Sequence, residues 1–345
     1  YDCVILDESV IVKNCNTVTW RSVRCMSEKA NYVFFLSAEP FENNLSEIYG
    51  QVEACAPGTI GSPKYFNQRY CVWDKIMIRR GGQVIEIPKI VGYKNKEEFK
   101  RLIAPVLLYR TNEDIDRPEI PIKIMTVRID LTSEQRKIYD RLQSESKKEK
   151  VRSTGDIFKW QGILLRAADT ARFYGGKSSS KVDKVVEILR HPLIRKRGVL
   201  VYTHYYEMLE HLREAIVAAG FRVARYSGKE SSEERAKIKR QLLSKEVDVV
   251  LMTAAGGKGS RLEGASVVIL VERPWSGKAV KQIVGRVARE GQKEKFVIAV
   301  LIIARNTKDD YVSQVIRKKE KAADDFYDLE TALKGQKINS LDELY

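Results

Sequence analysis

Apolar residues follow two regimes along this chain, and the change between them sets its organisation. From Lys181 onward the alternation is regular. VDKVVEIL repeats Val182, Val185, Val186 and Leu189 at helical spacing, and GVLVYT (Gly198 to Thr203) reads as a strand. Tyr205 to Ala219 sets Met208, Leu209, Leu212 and Ile216 on one helical face, with Gly220 as its cap. FRVARYSG predicts a strand and turn, and Ser231 to Leu243 a helix with Ser232 and Glu234 near its start. Val247 to Thr253, Val267 to Val271 and Phe296 to Ala304 are near-continuous apolar runs, the mark of strands buried on both faces. This alternation predicts an α/β fold with a parallel, doubly wound sheet and right-handed crossovers.

The earlier part is less even. An apolar strand, Cys3 to Leu6, ends in Asp7–Glu8, and a second runs from Tyr32 to Ala38. Asn43 and Asn44 read as a turn or helix cap. From Ala56 to about Lys100 the pattern breaks into Gly, Pro and aromatic residues with basic patches, which predicts an insertion lying on a sheet, outside its strands. Leu102 to Ile115 leads to a strand within Ile120 to Leu131, and Thr132 or Ser133 caps a following helix. Glu145 to Arg152 is a charge run suited to an exposed face or a flexible joint, and Gln161 to Phe173 predicts another helix. After Thr307 the tail reads as polar and helical.

Length and composition narrow the picture. At 345 residues the chain can form about two domains with separate cores. No apolar run approaches the roughly 18 residues of a membrane span, and no signal peptide is evident, so an intracellular location is expected. Tyr1 sits directly ahead of a buried-looking strand, which suggests a start inside a larger domain. The net charge of +15, much of it between Arg141 and Arg197, favours a polyanionic partner such as nucleic acid. All five cysteines lie before Val72 without zinc-site spacing, which fits reduced thiols and argues against a metal cluster.

Candidate chemistry gathers in two places. Asp7 and Glu8 stand at the carboxyl end of a strand, where open α/β sheets place ligands. An Asp there can hold Mg²⁺, and an adjacent Glu can orient an attacking water. Late in the chain, the glycine-rich TAAGGKGSRLEGA (Thr253 to Ala265) precedes QIVGRVAREGQ. In the latter, Gln282, Arg286 and Arg289 fall at i, i+4 and i+7, one face of a helix if the helix continues through them. Two guanidinium forks suit a phosphoryl group in transfer; a solvated helical face is the plain alternative. A decoy, ARFYGGKS (Ala171 to Ser178), approximates a phosphate loop but has Ala171 in place of the first Gly and follows a helical segment where a strand is required.

Taken in order, these segments resemble the Swi/Snf-type helicase-like ATPases of superfamily two. VILDESVIVKN is similar to the family's second motif, with Lys13–Asn14 as its KN, and FLSAEPFENNLSEIYG to the third. GSPKYF, LLYRTNEDI, LTSEQRKIYDRL, VLVYTHYYEMLEHL and YSGKESSEER match later elements, and the two late stretches the fifth and sixth motifs. The resemblance implies two RecA-like lobes around a nucleotide: the carboxyl half of lobe one over about 1–115, with its insertion at 56–100; a linker and helical segment over 116–179; a complete lobe two over 180–308; and a helical tail over 309–345. It implies ATP with Mg²⁺ as cofactors, Asp7 on the metal and Glu8 on the hydrolytic water. Arg286 and Arg289 would be arginine fingers supported by Gln282, and Gly256, Gly257 and Gly259 would lie at the nucleotide. Double-stranded DNA is the implied partner, met by Lys13, Asn14, Asn43, Thr203, Ser227, Thr253, Lys258 and Arg261.

Several positions depart from the family pattern: Val10, Ser37-Ala38-Glu39, Arg261 and Ala288 replace its usual residues. No phosphate-loop lysine precedes Asp7, so the cradle for the β- and γ-phosphates is expected from upstream sequence or a separate polypeptide. The implied function is ATP-dependent movement on duplex DNA. A degenerate module that binds nucleic acid without turnover, and strand separation, are the alternatives.

Overall fold

A computed structural model describes residues 1–37, 46–80, 83–108, 110, 119–149, 153–254, 261–274, 277–314 and 335–338. They belong to two compact units, Tyr1–Pro118 and Glu119–Tyr345. Among the described residues no helix is long and apolar enough to cross a membrane.

In the first unit, β1 (Cys3–Leu6) pairs in parallel with β2 (Tyr32–Phe35), Cys3 opposite Tyr32 and Leu6 opposite Phe35. The crossover carries α1 (Val18–Ser27), capped by the Thr17 hydroxyl, which accepts from the Trp20 N–H. Alternate side chains point to opposite faces: Val4, Leu6, Val33 and Phe35 are partly buried, whereas Ile5, Tyr32 and Phe34 are exposed. Helix α2 (Ser46–Cys55) packs close to the turn that follows β1. At Gly50 a Cβ atom would stand 2.4 Å from the Lys13 carbonyl oxygen, so only glycine permits this approach.

The remainder of the unit is more regular than its sequence suggests. α3 (Pro63–Tyr70), an antiparallel hairpin of β3 (Cys71–Arg80) and β4 (Gln83–Tyr93), and α4 (Lys96–Ile103) follow one another. The hairpin is a two-stranded sheet of its own. Its strands escape the sequence pattern because charged residues and Pro88 interrupt the alternation and the pairing partners are local. Tyr49, Phe66, Tyr70 and Phe99 form the aromatic core, with ring centroids 5.0 to 5.8 Å apart between contacting pairs.

The second unit contains β5 (Ile122–Ile129), α5 (Ser133–Lys148), α6 (Thr154–Asp169), α7 (Ser180–Arg190), α8 (Pro192–Arg195), β6 (Gly198–Tyr202), α9 (Tyr206–Ala218) and β7 (Val223–Tyr226). Then come α10 (Ser232–Leu243), β8 (Val249–Met252), β9 (Ala265–Leu270), α11 (Gly277–Val284), β10 (Val297–Ala304) and β11 (Gly335–Ile338). The strands form one sheet in the order β11-β5-β10-β9-β6-β8-β7, with every pairing parallel. Odd and even strand positions go to opposite faces. Val199, Val201, Val267 and Ile269 meet α7, α8 and α9, while Leu200, Val250, Val268 and Leu270 meet α10 and α11. This explains the unbroken apolar runs: neither face is left for water.

β5 bears out the strand expected within Ile120 to Leu131, and it pairs with β10 along its whole length. Two other points differ from the sequence reading. α6 begins at Thr154, ahead of the expected Gln161, because Ser153 and Asp156 form a reciprocal capping box. Within the tail expected to be helical, Gly335–Ile338 instead adds a parallel edge strand beside β5.

Candidate active site

The acidic pair lies in the first unit, exposed at the carboxyl end of β1. Asp7 Oδ1 accepts the Glu8 N–H at 2.9 Å, and Glu8 takes a left-handed backbone, φ 53° and ψ 52°. A non-glycine residue in that region costs about 1 kcal/mol or more, and such strain gathers at functional sites. Flanking bonds hold the turn: Leu36 N–H donates to the Leu6 carbonyl at 2.8 Å, and Ser9 N–H to the Leu36 carbonyl at 2.9 Å. The Ser9 hydroxyl then reaches Gln51 Oε1 at 2.8 Å, tying the turn to α2.

Lys13 and Asn14 take internal roles. Lys13 Nζ lies 3.5 Å from a Glu47 carboxylate oxygen. Asn14 Oδ1 accepts the Asn16 N–H at 3.0 Å, and its carbonyl accepts the Thr17 hydroxyl at the same distance, setting the cap of α1. Asn43 lies outside the described residues, as do Ala38 and Glu39.

The second unit holds the guanidinium pair, but not on one helical face. Helix α11 ends at Val284, and Arg286 and Arg289 lie in the turns beyond it. Gly285 marks the break, since glycine is the weakest helix former after proline. Gln282 stays on the helix and is exposed. Arg286 is partly buried, its Nη1 3.6 Å from Met252 Sδ, and Arg289 is exposed. Burial pushes the Arg286 guanidinium pKa down; the Tyr202 phenol opposes this, and the neighbouring Arg289 charge adds to it. Among the described residues neither guanidinium has a carboxylate partner. Two adjacent, uncompensated cations are a receptor for an anion.

The fifth-motif glycines Gly256, Gly257 and Gly259, together with Lys258, lie outside the described residues. Arg261 is exposed. Thr203, Ser227 and Thr253, expected at a nucleic-acid backbone, are instead buried. Thr203 Oγ1 donates to Glu272 Oε1 at 2.8 Å, and Ser227 Oγ accepts the Lys229 N–H at 3.2 Å. The Thr203 and Ser227 hydroxyls each close a strand-end turn.

Beneath this edge is a charge cluster that the sequence reading passed over. Lys181 is fully buried, with Nζ 2.8 Å from Asp169 Oδ1, 2.6 Å from Asp309 Oδ2 and 2.8 Å from the Val271 carbonyl. Burial alone would lower the ammonium pKa, but the Asp169, Asp309 and Glu272 carboxylates outweigh it and raise it. Glu272 accepts the Thr203 hydroxyl and, at 2.9 Å, the His204 N–H. Burial pushes its pKa up to about 7, against the opposing Lys181 charge. β8 and β9 flank β6, so the chain crosses from one side of β6 to the other between them. The Thr203–Glu272 bond joins the carboxyl ends of β6 and β9 at this reversal, the ligand position of open sheets. Glu272 was legible: like Asp7 and Glu8, it is an acid directly after an apolar strand.

The decoy resolves plainly. Ala171–Tyr174 is a 3-10 turn following α6, and Gly175 takes φ 82°. The N–H groups of Lys177 and Ser178 already donate to Glu134 Oε2, at 3.1 and 2.8 Å, so the loop's anion is a side chain of the protein itself.

Comparison with known proteins shows the family. Residues 1–192 match the SNF2-related domain, and residues 180–291 match the helicase conserved C-terminal domain. The putative ATP-dependent helicase/translocase YwqA of Bacillus subtilis is 25% identical over 363 residues, covering 100% of this chain and 38% of that protein. An uncharacterized ATP-dependent helicase of Mycoplasma genitalium is 26% identical over 333 residues, covering 92% of this chain and 30% of its own length. The chain thus spans about a third of the length of these relatives. Its fold is similar to the Sulfolobus solfataricus SWI2/SNF2 ATPase core solved in complex with dsDNA, with a TM-score of 0.51 and 24% identity, over 96% of this chain and 69% of that one. Because the SNF2-related match takes in more than half of the residues, this chain belongs to the SNF2-related family.

Proposed function

We propose that the chain is part of an ATP-dependent translocase that couples hydrolysis to movement on duplex DNA. The observation that carries the reading is the Arg286–Arg289 pair, close together, without a carboxylate partner among the described residues, and one of them partly buried. Such a pair fits the spreading charge of a γ-phosphoryl group in transfer. In this reading Asp7 holds Mg²⁺ and Glu8 orients the attacking water, while Gln282 supports the arginines. Bound ATP–Mg²⁺ would supply the scissile phosphoanhydride and the neutralising charge. Asp7 and Glu8 suit that group because both are exposed oxygen donors on a fixed turn.

The exposed apolar face of Ile5, Tyr32 and Phe34 supports a further element of the proposal. Parallel strands are ordinarily covered on both faces. More polypeptide, from the same or a separate chain, would cover this one and bring the phosphate-cradling lysine. On the DNA side, Arg261 is the exposed cation best placed in sequence to meet a backbone phosphate, and the net charge of +15 favours the same partner. The names of the relatives, helicases and a helicase/translocase, agree with this reading.

The test is ATP turnover by the full polypeptide with and without duplex DNA, alongside release of a third strand from a triplex. DNA should stimulate turnover, and Arg289→Ala should lower kcat by about 10³ or more. Unchanged turnover in Arg289→Ala, or indifference to DNA, would overturn the proposal.

A further inference from the structure

The two arginines stand just past the end of α11, where the Ala288 N–H still donates to the Val284 carbonyl at 2.9 Å, yet a finger must be fixed within a fraction of an ångström to act. Beyond that helical link, a short list of bonds fixes it. The Arg286 carbonyl accepts the Leu262 N–H at 2.9 Å, and the Arg289 carbonyl accepts the Gln292 N–H at 3.0 Å. Between them, the Val287 carbonyl accepts Gln292 Nε2 at 3.1 Å. The same Nε2 donates to the carbonyl of Ala265, the first residue of β9, at 2.7 Å. Gln292 Oε1 is also used, accepting the Glu294 N–H at 3.1 Å. Gly291, at φ 95°, supplies the left-handed step that aims this amide back into the turn.

We infer that Gln292 is a positioning residue for the arginine pair: its amide clamps the Arg286–Arg289 turn to β9 and touches no substrate itself. Both amide protons are required, one for the sheet and one for the turn. An alanine leaves the Val287 and Ala265 carbonyls without this partner, and a glutamate places acceptor against acceptor. The Arg289 side chain would then sample orientations that miss the transferring group. The inference rests on the finger reading given above, and the experiment separates the two.

DNA-stimulated ATP turnover is measured for the full polypeptide as Gln292→Ala, Arg289→Ala and the double variant, with melting temperature followed throughout. Gln292→Ala should lower kcat about 10- to 100-fold, as a misplacement of about 1 Å does, and leave KM for ATP within about twofold. In the Arg289→Ala background the same change should cost less than about twofold, because residues that act as a unit are not additive. An equal fractional loss in both backgrounds, or an unaltered kcat, overturns the inference. Full turnover in Arg289→Ala alone overturns the finger reading first. If Gln292→Ala does not fold, Gln292→Asn, one methylene too short to span both carbonyls, carries the same comparison.

Discussion

Replacing Lys181 by methionine isolates the energetics of the buried cluster. The side chain keeps most of its volume but loses a charge that donates to Asp169, Asp309 and the Val271 carbonyl within 2.8 Å. Three buried carboxyl groups, Asp169, Asp309 and Glu272, are then left without the ammonium. Two effects compete. Leaving charges unpaired in the interior costs about 3–5 kcal/mol by the behaviour of broken buried pairs. Taking up a proton instead costs about 1.4 kcal/mol for each pH unit above the normal carboxyl pKa, roughly 4 kcal/mol per group at pH 7. The second route caps the first, so the variant should fold with an added proton and lose about 3–5 kcal/mol at pH 7. The loss should shrink by roughly 2–3 kcal/mol at pH 5, where that proton is cheaper. Urea unfolding at the two pH values, read by circular dichroism, measures both numbers. Adding Asp169→Asn should recover part of the loss, because one of the competing charges is gone. A cost below about 1 kcal/mol, or one that does not ease on acidification, would refute the assignment of Lys181 as the neutralising centre.

Glu272 gives a second pH signature. Its folded pKa of about 7 exceeds the unfolded value of about 4.3, so the native state holds the extra proton and stability declines as pH rises between those values. Glu272→Gln should flatten that decline in urea midpoints taken from pH 5 to 8; an unchanged slope would count against it. His211 acts in the opposite sense. Burial, followed by the Arg172 charge, holds its pKa down at about 4, so stability is lost as pH falls from about 6.5 toward 4. His211→Gln, keeping a polar partner for the Thr170 hydroxyl 3.0 Å away, should remove that acid-side loss in thermal melts. Gly50→Ala forces a Cβ against the Lys13 carbonyl and should destabilise the first unit by about 1–3 kcal/mol, while shifting the Asp7–Glu8 turn enough to depress turnover. A melt and activity matching wild type would show that the contact can relax.

What the sequence made legible follows from how local each signal was. The second unit's sheet could be read because both faces are buried, leaving unbroken apolar runs in β6, β8, β9 and β10. The hairpin of β3 and β4 could not, since its partners are near neighbours and charged residues and Pro88 interrupt the alternation. Asp7 and Glu8 were visible as acids ending a strand; Glu272, with the same signature, went unread because Lys181 and Asp309, which give it meaning, lie far off in sequence. Spacing suggested a helical face for Gln282, Arg286 and Arg289, but spacing does not reveal where hydrogen bonding stops. The regular helix ends at Val284, its last bond comes from the Ala288 N–H, and past that point the geometry rests on the bonds made by Leu262 and Gln292.

That transfer has a physical consequence. A side chain on a helix moves with the helix, whereas a side chain on a turn moves with whatever holds the turn. Leu262 closes the crossover that begins at Thr253, and Ala265 opens β9, so the arginines' anchors sit on the segment carrying the fifth-motif glycines. The Glu272–Thr203 bond ties the far end of β9 to β6 over the Lys181 cluster. A shift of the crossover by even half an ångström would therefore reach Arg286 through a backbone hydrogen bond, with no side-chain relay. In the proposed motor, contact of Arg261 with a DNA phosphate would be felt one residue away, at the Leu262 N–H that holds Arg286. Arg261→Ala should accordingly reduce DNA stimulation of kcat by more than its effect on DNA affinity, measured by turnover at saturating duplex. Complete recovery of kcat at saturation would confine Arg261 to binding and break this link.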